Sequence, residues 1–155
     1  MSELELKVSQ LLAAEVPDPE GRFSGMPICV NYVNGIEWEL RRAISYTTLA
    51  REVSTVKKGF VFDFASVPRF FYWLYPPAGD GSNLYGIAAT WHDWLYAHRK
   101  IGNRPIERYE ADELFLEIMR YVGVRWTMAR LMYYAVRSPA GWWIWHRRKE
   151  SEIIP

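Results

Sequence analysis

Asp63-Phe64-Ala65-Ser66-Val67-Pro68-Arg69 divides the chain into two halves of different periodicity. Before it, apolar residues recur at every second position, the period of a half-buried strand. After it they recur at three- and four-residue spacing, the period of a helix packed on one face. Strands followed by helices, without βαβ alternation, predict an α+β fold. The heptapeptide reads as the corner between the halves. Ser66 can cap the orphan amides of a helix through Phe70-Phe71-Tyr72-Trp73-Leu74, and Pro68 is tolerated in its first turn.

Upstream of the corner, Ile28-Cys29-Val30-Asn31-Tyr32-Val33 and Ile36-Glu37-Trp38-Glu39-Leu40 flank Asn34-Gly35. That dipeptide favours the positive φ angles of a two-residue hairpin turn. Ile44, Tyr46 and Thr48 continue the alternation, and Val53–Val56 and Phe60–Phe62 bracket Lys57-Lys58-Gly59 as an expected second hairpin. Residues 26–64 are therefore expected to form one small antiparallel sheet of three to five strands.

Downstream, Pro76–Asn83 reads as a loop. Helices are expected over about 84–97, 108–122 and 126–137, with Gly123 as a C-terminal cap and the last helix ending before Ser138-Pro139. With the helix after Ser66, this makes about four short helices in residues 66–149, packed on the sheet within one domain of residues 26–150. Residues 1–25 read as an extension. Leu4, Val8, Leu11 and Leu12 fall on one face of a helix over 4–15, which would dock on the body or on a partner. Val16–Gly21 comes next as a linker.

The 155 residues suit a single domain, and a half-hydrophobic composition with eight tryptophans excludes a disordered chain. A net charge of +1 gives no reason to expect a nucleic-acid partner. The single cysteine, Cys29, excludes an intrachain disulfide and a thiolate zinc cage. The N-terminus lacks the basic head and apolar run of a signal peptide, and no segment reaches the roughly 18 uncharged residues needed to cross a bilayer. The tail Trp142-Trp143-Ile144-Trp145-His146-Arg147-Arg148-Lys149 is aromatic and basic. Its tryptophans are expected to pack on the body, with contact at a membrane interface as the alternative.

Chemistry concentrates in Trp91-His92-Asp93-Trp94-Leu95-Tyr96. On a helix His92 and Tyr96 share a face, while Asp93 points about 100° away. A short connection to the next helix favours antiparallel neighbours, which can bring Asp112 opposite His92. A carboxylate on one imidazole nitrogen fixes the tautomer and frees the other nitrogen to take a proton from water. Asp93, with Asp63 from the corner, could then hold Ca²⁺ or another divalent cation through oxygen. The competing reading is a buried histidine satisfied by Asp112, with Asp93 paired to Arg104 or Arg108, in a network that only fixes helix register.

Four blocks in order resemble an uncharacterised family of small proteins encoded by tailed bacteriophages and prophages. They are Gly59–Arg69, Ala88–Tyr96, Glu110–Phe115 with Met119, and Met132–Arg137. Phe62 departs from the threonine expected before the aspartate, and the helix over 4–15 is additional to the family core. The resemblance implies phage origin and residence in the host cytoplasm or the virion. It implies no settled activity, and partners would be other virion proteins or a host factor met through the N-terminal helix.

A more local resemblance does imply chemistry. His92-Asp93-x-x-Tyr96, with Ala111-Asp112 about twenty residues on, is similar to the helix pair of secretory phospholipases A(2), most nearly the short capsid-borne parvoviral versions. The likeness implies His92 as general base, Asp93 on Ca²⁺, Asp112 orienting the histidine and Tyr96 supporting it. The glycine-rich calcium loop of those enzymes has only Tyr75–Gly81 as a counterpart, with different residues, and their disulfides are absent, as they also are in the capsid versions. A metal-dependent phosphohydrolase with a His-Asp doublet would need an upstream histidine ligand, and none precedes His92. Two functions are consistent with these residues: a small ester- or envelope-directed hydrolase, or a non-enzymatic virion, assembly or host-interaction protein.

Overall fold

The computed structural model describes residues 17–26, 28–33, 37–63 and 84–151, apart from the side chains of Tyr32 and residues 148–151. The helix expected over 4–15, the Asn34-Gly35 turn, the block Phe64–Arg69, the helix after Ser66 and the loop up to Asn83 lie outside the described residues. The fold is α+β, with antiparallel sheets in the N-terminal half and helices after them.

The strands are β1 (Phe23–Ser24), β2 (Val30–Tyr32), β3 (Trp38–Leu40), β4 (Ile44–Thr47), β5 (Val53–Val56) and β6 (Val61–Phe62). They form two three-stranded antiparallel sheets, β1-β4-β5 and β2-β3-β6, in place of the single sheet expected from the alternation. The first hairpin is where the sequence puts it: Val30 pairs with Leu40 and Tyr32 with Trp38. The second is not. β5 pairs with β4 and β6 pairs with β3, so Lys57-Lys58-Gly59 carries the chain from one sheet to the other. Local turn chemistry at Gly59 (φ 86°) permits a sharp bend but does not choose the strand on which β6 pairs. The β4–β5 hairpin turns instead through residues 48–52, where the Arg51 amide donates to the Thr48 carbonyl and Arg51 takes φ 64°.

The body also begins before residue 26. β1 pairs Phe23 with Tyr46 and Ser24 with Ser45. The Asp18 carboxylate accepts bonds from the Tyr121 hydroxyl and from the amides of Arg22 (2.7 Å) and Phe23 (3.2 Å). Residues 18–24 are thus fastened to the domain, because a turn aspartate finds both backbone and side-chain donors there.

Four helices stand among the described residues: α1 (Tyr85–His98), α2 (Arg108–Tyr121), α3 (Trp126–Arg137) and α4 (Pro139–Ser151). Between α1 and α2, β7 (Lys100–Ile101) and β8 (Arg104–Pro105) form a small ribbon where the sequence suggested only a short connection. Every residue of α1 from Tyr85 to Tyr96 is buried, so α1 is the axis of the core. It packs on α2 and meets β5 and β6, one strand from each sheet. The Trp91 indole donates to the Ser54 carbonyl (3.2 Å), tying α1 to β5.

α2 opens with a capping box in which the Glu110 side chain accepts the Glu107 amide (2.8 Å). It closes at Gly123 (φ 92°), where the Val124 amide returns to the Met119 carbonyl (2.9 Å). Arg104 joins β8 to Glu52 (2.7 and 2.9 Å) and Glu110 (2.7 Å). The tail, for which the sequence offers no helical expectation, is α4, with Pro139 as its first residue, a position where the missing amide costs nothing.

α3 and α4 touch backbone to backbone at Gly141, where an added Cβ would stand 1.8 Å from the Val136 carbonyl oxygen. Gly→Ala inside a helix ordinarily stabilises by about 1 kcal/mol. Here Gly141→Ala is expected to destabilise by about 1–3 kcal/mol through overpacking, read from urea melts. A stabilised variant would mean that the two helices do not meet this closely.

Candidate functional site

Antiparallel packing of α1 on α2 brings His92 and Asp112 together. His92 Nε2 lies 2.7 Å from Asp112 Oδ1, and the Tyr96 hydroxyl donates to the same oxygen at 2.7 Å. His92 and Asp112 are 0% exposed and Tyr96 is 1% exposed, which removes water as a competitor for these bonds. The spacing of His92 and Tyr96, one helical turn apart, is what lets both reach one carboxylate. Their rings lie 4.1 Å apart, and Phe115 of α2 closes on the imidazole at 4.8 Å.

The second carboxylate oxygen is met from a third helix. Arg137 Nη1 donates to Asp112 Oδ2 at 3.3 Å, its side chain 35% exposed while the aspartate is fully covered. Sequence reasoning gives Arg137 no role, although it closes the block Met132–Arg137. The only local signal is a cation in the last turn of a helix, which is usually explained by the helix dipole. Asp112 therefore joins α1, α2 and α3.

This arrangement makes Nε2 the donor of the pair. Tyr96 and Arg137 both donate to Asp112, as they would to a carboxylate, and a carboxylate can only accept from Nε2. In a neutral imidazole, a hydrogen on Nε2 leaves the lone pair on Nδ1. Among the described residues no hydrogen-bond partner meets His92 Nδ1, although the atom is buried. A buried polar atom without a partner is uncommon and calls for a specific explanation.

Asp93 is fully buried on another face of α1, and Asp63 is half-buried just after β6. Of the arginines considered for Asp93, Arg104 is engaged by Glu52 and Glu110. Arg108 donates to the Val136 carbonyl (3.3 Å). Among the described residues no three His, Cys, Asp or Glu side chains are grouped to hold a metal ion, and this includes Asp93 and Asp63 with His92 or Asp112. Calcium takes six to eight oxygens. Among the described residues the acidic side chains of such a set are not gathered.

A cleft of about 610 Å³ lies elsewhere, between the β1-β4-β5 sheet, α2 and α3. It uses the face of α2 that carries Glu113, Glu117 and Arg120, not the face that carries Asp112. At its floor Glu117 accepts from the Tyr46 hydroxyl (3.0 Å) and the Leu49 amide (2.8 Å).

The protein is thus an α+β protein whose three central helices meet at a buried His–Asp–Tyr–Arg cluster. It belongs to the family described as protein of unknown function (DUF1353), whose model matches residues 38–136. The match takes in His92, Tyr96 and Asp112; β1, β2, Arg137 and α4 lie outside it. No curated protein and no solved structure matches the chain.

Burial, reinforced by the Asp112 charge and hydrogen bond, pushes the Tyr96 hydroxyl far above its ordinary value of 10.0, against a smaller opposing pull from Arg108. Burial raises Tyr46 as well and takes Tyr85 up to about 12. A folded-state pKa above the unfolded one stabilises the fold fully below the unfolded value, and that contribution is lost as pH rises through the folded one. Melting temperature is therefore expected to fall as pH rises above about 10, with tyrosinate absorbance appearing together with unfolding. Tyr96→Phe should make the fall shallower. Free ionisation of all tyrosines in the folded protein would contradict the burial of these three.

Proposed function

We propose that this is a small phage- or prophage-encoded hydrolase in which His92, oriented by Asp112 and supported by Tyr96, is the general base for attack of water on an ester, including esters of the cell envelope. The observation that carries the reading is the asymmetry of the imidazole. Nε2 is held at 2.7 Å by a carboxylate, while Nδ1 is left with no partner among the described residues. A network serving only to hold helices would be expected to satisfy both nitrogens. The order of the sequence blocks supports the phage assignment.

In this reading Nδ1 takes a proton from water as the water oxygen bonds to the ester carbonyl carbon. The carbonyl becomes a tetrahedral oxyanion. As it collapses, the C–O bond to the alcohol breaks and the imidazolium returns the proton to the departing oxygen. Asp112 holds the ring and stabilises the imidazolium that forms in between. The burial of His92 requires that local opening admit substrate, as low-stability segments around active sites often do.

A second reading rests on that same burial. His92, Asp93 and Asp112 all at 0% exposure suit a network that specifies how α1, α2 and α3 dock in a virion, assembly or host-interaction protein. The two separate on variants assayed with p-nitrophenyl esters of graded acyl length. If His92 is the base, His92→Ala and Asp112→Asn each lose about 100-fold or more in kcat/KM and keep a near-native melting temperature. Loss of the fold in both variants, or no hydrolysis by the wild-type protein, favours the structural network.

A further inference from the structure

α4 divides its aromatic residues between two environments. Trp145 is buried, lying 4.9 Å from the Tyr96 ring and beneath the Arg99 guanidinium at 4.3 Å. Trp142 and Trp143 point outward at 53% and 54% exposure. The fold therefore uses one tryptophan of the tail for packing and leaves two on the solvent face, beside His146 and Arg147. α3 repeats the composition with Trp126, Leu131 and Tyr134 about half exposed and Arg130 between them.

Charge is segregated in the same region. From Ile118 to Lys149 there is no Asp or Glu and there are seven Arg or Lys, of which Arg137 is paired with the buried Asp112, and Glu150 follows within α4. The rest of the chain carries twelve Arg or Lys against eighteen Asp or Glu. A net charge of +1 conceals a cationic run over residues 118–149 within an otherwise anionic chain. Exposed tryptophan costs solubility, and indole among arginines is the composition found where a protein meets the headgroup layer of a bilayer.

We propose that the solvent face of α4, with the exposed stripe of α3, docks on an anionic lipid surface. Basic residues supply the long-range attraction and the indoles enter the headgroup region. No helix among the described residues is long and apolar enough to cross a membrane, so contact through these helices is peripheral. Single-stranded nucleic acid would also attract the charge, but bases need open ring faces on which to stack. One face of each exposed indole is already taken: Arg130 covers Trp126 at 4.7 Å, Arg147 covers Trp143 at 4.8 Å, and His146 lies 4.1 Å from Trp142. A second copy fits poorly, because a two-fold interface would set this cationic patch against itself. The surface serves the protein whether or not His92 turns over an ester.

The test is co-sedimentation of the full chain with vesicles of phosphatidylcholine alone or mixed with phosphatidylglycerol. Partitioning should be at least about 10-fold stronger on the mixed vesicles and should weaken as salt rises. Trp142→Ala with Trp143→Ala should remove most of it without changing the melting temperature, since neither indole is in the core. Arg147→Gln should cost about 5-fold on the anionic vesicles. The proposal would be overturned by no partitioning onto either vesicle, by equal partitioning of the double variant, or by tryptophan-dependent binding to single-stranded DNA with none to vesicles. A tryptophan-dependent dimer in light scattering, without vesicle binding, would do so too.

Discussion

A single buried carboxylate fixes how three of the helices meet. Asp112 receives His92 and Tyr96 from α1 on one oxygen and Arg137 from α3 on the other. Transferring an ionised carboxylate from water into the core without partners would cost far more than the few kcal/mol by which a domain is stable. It is tolerated because three donors surround it, and those donors can converge only if α1, α2 and α3 pack in one way. Apolar core side chains such as Leu95, Phe115 and Ile118 would accept small slips between helices; a carboxylate needing three directed bonds does not. The cluster thus selects one arrangement even if its net contribution to stability is small.

The same constraint puts chemistry and architecture in one place. α1 is buried on all sides, so it touches both sheets and α2, and its polar residues must find partners inside the protein. Orienting His92 through Nε2 completes the structural duty, and in the proposed reading leaves Nδ1 as the basic atom. A group fixed this firmly loses little entropy when it acts, which is the usual reason for placing a catalytic side chain on a rigid element backed by a second residue. Support from three helices also means that a substitution in the cluster reports on packing as well as on any proton transfer it carries out. Rate and melting temperature therefore have to be read side by side.

Much of the architecture was legible because it rests on local periodicity. The α+β division, the β2–β3 hairpin, the ends of α2 at its capping box and Gly123, and the close of α3 before Ser138-Pro139 stem from short-range backbone preferences. The pairing of His92 and Asp112 was legible too, through the short connection and the helical spacing. Strand partnership was not. Lys57-Lys58-Gly59 has the composition of a hairpin turn, yet Phe62 pairs with Trp38, a strand far back in the chain. The turn that does join β4 to β5 contains Arg51 at positive φ and no glycine or asparagine, so nothing local announced it. α4 was hidden because its aromatic run has no clean amphipathic period, with tryptophans on both faces.

The sequence by itself determined the strand-then-helix division, most of the strands, the helices α1, α2 and α3, and which residues are able to form a His–Asp pair. Those properties belong to the backbone and to side chains within a turn or two of each other. The tertiary structure alone decided that there are two small sheets, that Arg137 supplies the second half of the Asp112 cage, and that Trp145 enters the core while Trp142 and Trp143 stay in solvent. Each of these depends on which distant surfaces come to share a buried boundary. That choice is made by the summed burial and hydrogen bonding of the whole chain, and no window of a few residues contains it. Trp91–Tyr96 names the cluster, and the meeting of α1, α2 and α3 makes it a site.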